Sequence, residues 1–390
     1  MPRTRFIILP SSLTVLVAIT SLAAGPIPTR HNRHHTPLEP VSFSVTAFGA
    51  KCDGKADDTK AFQAALDAAG MGCSAGSGYL SGGYQTVLVP DGARCRLTSG
   101  LIDTRSDCVG ISSYAGATLD FTGLQRGQIA ITLKPLVYGA YTGNVARFEN
   151  IQIVGPGRAT DTVGIASYTP STTYRQYNIH GFTHGYEVRS GSWLNHFLGT
   201  SIWDCKVDLY CGRPLKDAGE QISFEAGVLF NSNQGIQNDS CEFNVVASSL
   251  DGLTGPAVVD DGGSTRLISD HIEYMTHITV PIIASENACN AYGSITMESG
   301  QIQFDHAKPN ALAQNDGGPG RCGGGGWGSY IRFNNVFLAN VPTRADGVPV
   351  VIGSNSSQIA ICHATNGAGG GAMGNVPNIG RPYFASQGQC

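Results

Sequence analysis

The stretch that decides the fold is Phe48–Gly70, FGAKCDGKADDTKAFQAALDAAG. Residues 41–48 alternate apolar and polar side chains, which is the period of a β-strand. A polar turn over residues 51–56 follows. The apolar side chains of residues 59–69 recur with the spacing of one helix face, and the Asp-Asp-Thr of residues 57–59 provides oxygen atoms for a helix N-cap. The stretch therefore predicts a strand, a turn and a helix that ends at its final glycine.

This stretch resembles the N-terminal segment of pectate-lyase-like right-handed parallel β-helix proteins, a superfamily that includes pectate lyases, rhamnogalacturonases and tailspikes. One departure is Cys52, where those proteins usually have Gly. Residues 86–92 (TVLVPDG) and 96–101 (RLTSGL) resemble the first coil of the same proteins. The resemblance implies an all-β fold, a right-handed parallel β-helix with an N-terminal capping helix. The helix would cover one end of the solenoid, and any chemistry would lie on later coils.

The composition agrees with a chain of many tight turns. Of its 390 residues 51 are Gly, and only 14% are charged. The formal net charge of −4 offers no basic field for a nucleic-acid partner. Residues 1–24 have the basic start, apolar run and small-residue cleavage sites of a secretory signal peptide, the alternative being a membrane anchor. No later stretch is apolar enough to cross a bilayer, so we expect a secreted protein with no membrane partner.

The expected domain organisation follows from this composition. Residues 25–40, rich in Pro and His, are predicted to form a flexible tail. Residues 41–390 are predicted to form a single β-helix domain, with a capping segment to residue 85, coils over 86–360 and a C-terminal tail over 361–390. We expect a monomer or a homotrimer.

Eleven cysteines in a secreted chain predict disulfides. Because the number is odd, at least one cysteine should be free or paired between chains. Cys205 and Cys211 are close enough in sequence to bridge a turn, Cys362 with Cys390 would hold the C-terminus, and Cys52 would hold the capping helix in place. No CxxC pair is present, so we expect no bound metal.

A repeated pattern supports the coils. A polar residue, often Asn, precedes an Ile or Val at intervals of 28, 23, 26, 17, 27, 23 and 41 residues. Side chains two residues further on, such as Ile153, Phe230 and Tyr274, are predicted to point inward. Stacked Asn residues at 150, 178, 244 and 335 are predicted to line a coil turn. The repeating positions are Ile151, Ile179, Ile202, Val228, Val245, Ile272, Ile295 and Val336.

The side chains that follow these positions should form one outward lane along the solenoid. Such a lane suits an extended polymer because aromatic faces stack on sugars and carboxylates cleave glycosidic bonds. His180 and Trp203 would lie on adjacent coils and form a sugar-binding platform, or Trp203 would pack under a loop. The predicted lane consists of Gln152, His180, Trp203, Leu229, Val246, Glu273, Thr296 and Phe337.

Acidic residues concentrate in the middle coils, and five are candidates for catalysis. Carboxylates one coil apart would be about 5 Å apart, the spacing of a retaining hydrolase, and those two coils apart about 10 Å, near the inverting spacing. His271 would bind substrate or tune a neighbouring acid. For each candidate, an ordinary surface or structural charge is the alternative. The candidate catalytic acids are Glu220, Asp251, Asp270, Glu273 and Glu298.

The site motifs of two better-defined relatives are missing. Polygalacturonases carry NTD, DD, GHG and RIK in order, whereas here Asp260–Asp261 is a lone DD and residues 183–185 (THG) precede it. Pectate lyases use clustered Asp for calcium and an Arg base, and the middle coils have few Arg, namely Arg213 and Arg266. The favoured function is a secreted glycoside hydrolase acting on a polysaccharide without a cofactor. The alternatives are a polysaccharide lyase acting by β-elimination on a uronic-acid polymer, with calcium, and a non-catalytic glycan-binding or adhesin-like solenoid.

Overall fold

The computed structural model describes residues 41–73, 85–136, 147–213, 215–274, 280–288, 291–305, 309–315, 329–343, 351–353, 358–362 and 365–366. The predicted signal peptide and flexible tail, residues 1–40, lie outside the described residues, as does most of the predicted C-terminal tail. Among the described residues, no helix has the length and apolar character needed to cross a membrane.

The chain winds through three faces of parallel strands, and successive coils pair strand by strand along each face. Two long strands, Val109–Asp120 and Arg147–Val154, bend from the first face into the second. The other strands of the first face are Val41–Ser44, Gln85–Leu88, Thr173–Arg175, His196–Leu198, Ile222–Glu225, Glu242–Val246, Ser264–Ile268, Ser294–Glu298, Tyr330–Asn334 and Gln358–Cys362.

The second face carries the candidate site, and the third face closes each coil. The other strands of the second face are Asp53–Asp57, Arg94–Arg96, Asn178–His180, Ser201–Trp203, Val228–Phe230, Ser249–Asp251, His271–Tyr274, Gln301–Phe304, Phe337–Ala339 and Thr365–Asn366. The third face consists of Leu101–Asp103, Ile129–Leu133, Val163–Ser167, His184–Val188, Val207–Cys211, Gln234–Asn238, Val258–Asp260, Ile282–Ala284, Ala313–Asn315 and Val351–Gly353. A short antiparallel pair joins Glu286–Ala288 to Ala291–Tyr292.

Together these coils form the predicted parallel β-helix. Every coil-to-coil pairing among the strands of the three faces is parallel, and inward side chains stack on the same positions of the next coil. The rings of Phe148, Tyr174 and Phe197, for example, are fully buried and stacked at centroid distances of 5.3 and 4.6 Å. Burial of each such ring contributes about 2 kcal/mol to stability, and stacking adds to it. Each coil is therefore held mainly by its two neighbours.

The corner between the first and second faces has the same backbone conformation on eight coils. One residue per coil adopts the left-handed region, with φ between 49° and 59°. Its amide donates a hydrogen bond to the carbonyl of the next coil, as from Ala247 to Ile268 at 2.9 Å. Asn150 and Asn335 lie at this corner, but Asn178 and Asn244 lie within strands, so the predicted Asn ladder is wrong for those two. The corner residues are Asn150, Gln176, Gly199, Ala226, Ala247, Ser269, Ser299 and Asn335.

The N-terminal segment confirms the predicted helix and corrects its surroundings. The helix spans Thr59–Met71 and packs on the strands of the first coil. The predicted strand over residues 41–48 ends early, because Val45–Phe48 is a 3₁₀ helix. The predicted polar turn contains the strand Asp53–Asp57, which pairs with the strand of Arg94 and Arg96.

The acids before this helix hold the segment together. Asp57 accepts hydrogen bonds from the hydroxyl of Thr59 at 2.5 Å, from the hydroxyl of Thr98 at 2.7 Å and from the amide of Thr59 at 3.1 Å, and these bonds lower the pKa of Asp57 to about 2. Asp58 instead accepts hydrogen bonds from the backbone amides of Lys51 and Cys52 at 2.6 and 3.0 Å. Both acids are structural here, as the sequence predicts for a capping segment.

Three disulfides join neighbouring coils. Cys52–Cys95 fixes the segment before the helix, as predicted, and Cys73–Cys108 fixes the end of the helix. The predicted Cys205–Cys211 bridge is wrong, because Cys211 pairs with Cys241 on the next coil and Cys205 is a free, buried thiol. Cys362 is disulfide-bonded, and its predicted partner Cys390 lies outside the described residues.

Candidate active site

Two outward stripes run along the second face, and their register differs from the predicted lane. Residues two apart on each strand point to the same side, so each strand contributes one residue to each stripe. We call the first the aromatic–acid stripe; it consists of Val154, His180, Trp203, Phe230, Asp251, Glu273 and Gln303. We call the second the polar stripe; it consists of Gln152, Asn178, Ser201, Val228, Ser249, His271 and Gln301.

Several predicted lane members therefore need correction. Leu229 is fully buried and pairs with Ile202, whereas Phe230 points outward although it was predicted to be inward. Val246 and Thr296 lie on the first face, because Val245 and Ile295 belong to that face. The remaining members lie on the second face. The first and second faces have similar alternation of apolar and polar residues, so the repeat combined strands from both faces. The short interval of 17 residues, from Val228 to Val245, joins a second-face strand to a first-face strand.

The predicted pairing of His180 with Trp203 on adjacent coils is confirmed, and it extends to a third ring. His180 and Trp203 stack at a centroid distance of 4.3 Å, and Trp203 and Phe230 at 5.4 Å. Burial lowers the pKa of His180, which favours the neutral imidazole in this stack. The three partly exposed rings face one another along the solenoid axis, so they present a continuous strip of ring edges to solvent. We call these three rings the ring platform.

Three of the predicted site residues come together directly after this platform. Asp251 and Glu273 pair on adjacent coils, and His271 lies beside both. The Nδ1 atom of His271 lies 3.8 Å from Oδ1 of Asp251, and its Nε2 atom lies 3.8 Å from Oε2 of Glu273. The side chains of His271, Asp251 and Glu273 are 36%, 35% and 25% exposed, so each reaches the surface. Within the cluster, Oδ1 of Asp251 and Nε2 of His271 are buried and have no hydrogen-bond partner.

The two carboxylates of this cluster differ in their surroundings. Oδ2 of Asp251 accepts a hydrogen bond from the Ser249 hydroxyl at 2.6 Å, which holds the carboxylate in place. The pKa of Glu273 is raised, first by loss of solvent and then by a hydrogen bond and charge repulsion from Asp305. Asp305 in turn accepts a hydrogen bond from Nε2 of Gln303 at 2.5 Å. Glu273 is thus disposed to keep a proton, as a general acid requires.

The other three candidate acids lie elsewhere. Glu298 is on the first face, 3.6 Å from Arg266. Asp270 is buried at the corner, where it accepts a hydrogen bond from the Ser248 amide at 2.7 Å, and burial raises its pKa to about 7. Glu220 is exposed before a first-face strand. The structure therefore does not bring Glu220, Asp270 or Glu298 together with the cluster.

A cleft of about 530 Å³ lies beside the polar stripe on the N-terminal coils. It follows the corner between the first and second faces and reaches Ser201, two coils before Ser249. Its polar side chains are amides and hydroxyls. The lining residues are Gly92, Ala93, Gly116, Ala117, Thr118, Asn150, Ile151, Gln152, Gln176, Asn178, Gly199 and Ser201.

The cluster suits acid–base chemistry better than calcium binding. One carboxylate oxygen each from Asp251 and Glu273 and a ring nitrogen of His271 lie within 4.8 Å of one another. Calcium takes six to eight oxygen ligands and does not favour imidazole, so this donor set does not fit the calcium expected for a lyase. A pair of carboxylates one coil apart matches the spacing of about 5 Å found in retaining glycosidases.

Three solved structures are similar to this chain to different degrees. The enzymatically active domain of tailspike protein 4 from bacteriophage CBA120 matches with a TM-score of 0.58 at 13% identity, over 82% of this chain and 44% of that chain. The A-module of the mannuronan C-5 epimerase AlgE4 from Azotobacter vinelandii matches with a TM-score of 0.36 at 14% identity, over 86% of this chain and 98% of that chain. The surface protein and adhesin PfbA of Streptococcus pneumoniae matches with a TM-score of 0.41 at 11% identity, over 83% of this chain and 100% of that chain.

At 13% identity, the match with the tailspike domain shows the fold alone. The chain has the parallel β-helix fold of the pectate-lyase-like proteins that its N-terminal segment resembles. It spans less than half of the length of the tailspike chain. No family model matches the sequence, and no curated protein matches it.

Sequence reasoning missed three members of the site, namely Phe230, Ser249 and Asp305. Phe230 was missed because Val228 was aligned with Ile202 in place of Leu229. Ser249 and Asp305 were missed because the strands Ser249–Asp251 and Gln301–Phe304 were absent from the repeat. Their alternating patterns, Ser-Leu-Asp and Gln-Ile-Gln-Phe, carried the signal.

Proposed function

We propose that this protein is a secreted glycoside hydrolase that cleaves a polysaccharide lying along the second face. The observation that carries the proposal is the continuity of one stripe. The stacked rings of Trp203 and Phe230 are followed, on the next two coils, by Asp251 and Glu273. A sugar chain lying along the exposed ring edges would place its next glycosidic bond over the two carboxylates.

The roles follow from the surroundings of the two acids. Glu273, whose pKa is raised, donates a proton to the leaving-group oxygen. Asp251, fixed by Ser249, attacks the anomeric carbon at the retaining spacing, and water then releases the glycosyl group with Glu273 as base. His271 lies between the two carboxylates and positions both. The three described disulfides suit the oxidising environment of a secreted protein.

Substitution of the two acids tests the proposal. Glu273→Gln and Asp251→Asn should each lower kcat/KM on the cleaved polysaccharide by at least about 100-fold, because removal of a positioned acid or nucleophile has effects of this size. Glu298→Gln, an exposed acid on the first face, is the control and should retain activity within about twofold. All variants should keep the wild-type circular dichroism spectrum.

The products separate hydrolysis from the alternatives. New reducing ends without ultraviolet absorbance indicate hydrolysis, and unsaturated products indicate a lyase. Full activity in both Glu273→Gln and Asp251→Asn would reject this site. Glycan binding without any cleavage after long incubation would favour the non-catalytic solenoid.

A further inference from the structure

The second face differs in charge between its two ends, and this difference bears on the substrate. Five successive strands, from Val228–Phe230 to Phe337–Ala339, carry no Lys or Arg. The same region presents the carboxylates of Asp251 and Glu273, with Asp305 beside them. A uronate carboxylate within about 4 Å of one such charge would lose about fivefold in affinity even at the dielectric constant of water.

The cleft on the N-terminal coils gives an independent indication. None of its twelve lining residues is charged. Thr118, Gln152, Asn178 and Ser201 offer amide and hydroxyl groups, which are the partners of sugar hydroxyls. The cations next to the lining residues are Arg94 and Arg175, and each is paired with a carboxylate, Asp120 at 2.8 Å and Glu149 at 3.7 Å. A polyuronate in this cleft would have to displace those carboxylates, or its own charges would lose solvent without compensation.

The cleft and the carboxylates belong to the same surface. The polar stripe runs from Gln152 through Ser201 to Ser249 and His271, so the cleft lies two to three coils before the cluster. With neighbouring coils about 4.8 Å apart, the cleft ends about 10 Å from the carboxylates. A polymer lying along the axis would contact the cleft with the rings of His180 and Trp203 beside it, then Phe230, and then the acids.

From these observations we infer that the substrate is an electrically neutral glycan, and that the uncharged cleft binds several sugar units on one side of the cleaved bond. This inference rests on the proposed function for the position of the cleavage site. The binding preference itself can be measured without cleavage.

The first experiment measures retardation of the full chain in native gels that contain one polysaccharide each. The neutral set is arabinoxylan, mixed-linkage β-glucan, galactomannan and dextran, and the polyuronate set is polygalacturonate and alginate. We expect retardation by at least one neutral polymer and by neither polyuronate. Retardation by a polyuronate alone, or by none of the polymers, overturns the inference.

The second experiment places opposite charges at one position of the cleft. Gln152→Glu and Gln152→Lys both remove the same amide. With a neutral glycan, the two variants should bind the retarding polymer with Kd values within about threefold of each other, at both 20 mM and 500 mM NaCl. A polyuronate would bind the Lys variant at least about tenfold more tightly than the Glu variant at low salt, and that result overturns the inference.

The outcomes separate this inference from the proposed function. Binding of a neutral glycan without cleavage would support the inferred neutral ligand and contradict the proposed hydrolase activity. Cleavage of a polyuronate that is abolished in Asp251→Asn keeps the catalytic site and rejects the neutral substrate. Gln237→Glu and Gln237→Lys, on the third face, serve as the matched control pair and should leave retardation unchanged.

Discussion

The raised pKa of Glu273 depends on Asp305, and this dependence gives the sharpest test of the assigned roles. Burial is the first cause of the raised pKa of Glu273, and Asp305 raises it further through a hydrogen bond and through its negative charge. Asp305→Asn removes the charge and keeps an oxygen that can accept the hydrogen bond from Gln303. At a separation of about 4 Å, two unit charges interact with about 1 kcal/mol in a water-like dielectric and about 4 kcal/mol in a partly buried site.

The smaller value is a lower bound, because the Glu273 side chain is only 25% exposed. An energy of about 1 kcal/mol corresponds to about 0.7 pH unit. A general acid must be protonated, so activity falls as pH rises through its pKa. We therefore expect the alkaline limb of the kcat/KM profile to move at least about 0.7 pH unit towards lower pH in Asp305→Asn.

The matched control is Asp239→Asn. Asp239 accepts a hydrogen bond from Gln237 at 2.6 Å, in the same manner as Asp305 from Gln303, but it follows a third-face strand. Its pH profile should match that of the wild type. An alkaline limb that stays in place or moves to higher pH in Asp305→Asn would refute the assignment of Glu273 as general acid. Titration of ¹³C-labelled glutamate carboxyls, with Glu273→Gln for assignment, gives the same shift without substrate.

Three further outcomes are expected. Trp203→Ala should raise KM threefold to tenfold with a smaller change in kcat, because a stacked aromatic contact contributes about 0.5 to 1.5 kcal/mol, whereas Trp193→Ala, off the stripe, should leave KM unchanged. Ala247→Gly should raise the free energy of unfolding by about 0.5 to 1 kcal/mol, measured by urea denaturation, because glycine adopts the left-handed corner without steric cost. Asp270, with a native pKa of about 7, binds a proton in the folded chain that it loses on unfolding at pH 5. The wild type should therefore lose about 2 kcal/mol more stability than Asp270→Asn between pH 5 and pH 8, and equal losses would contradict this.

The sequence predicted the solenoid because the N-terminal segment is locally specified. The helix Thr59–Met71 depends on the spacing of its own apolar residues and on the oxygen atoms of the acids just before it. Its end lies within two residues of the predicted end. The pairing of His180 with Trp203 was predicted because the two preceding Ile residues align correctly. Asp251, His271 and Glu273 were candidates because of their residue types and their local sequence context. Their proximity in the structure results from the pairing register of the two strands that carry them.

The pairing register of the strands was not predicted correctly from the sequence. A shift of one residue exchanges inward and outward side chains, as it did for Leu229 and Phe230. Coils differ in length because loops of varying size leave the third face, so a fixed interval could not assign Val245 and Glu298 to the first face. The left-handed corner was not predictable either, because Asn, Gln, Gly, Ala and Ser all occupy it. Backbone hydrogen bonds between coils impose that conformation more than residue preference does.

The position of the N-terminal helix has a consequence for the behaviour of the chain in concentrated solution. Among the described residues, the strands Val41–Ser44 and Asp53–Asp57 each pair with a strand on one side only, Gln85–Leu88 and Arg94–Arg96 respectively. An uncovered edge of such a strand is a template on which another polypeptide could add a strand. The helix packs on this first coil and is fixed there by two disulfides, Cys52–Cys95 before it and Cys73–Cys108 after it. The same segment that starts the winding therefore also opposes end-to-end polymerisation, so that reduction of these two disulfides would favour fibre growth.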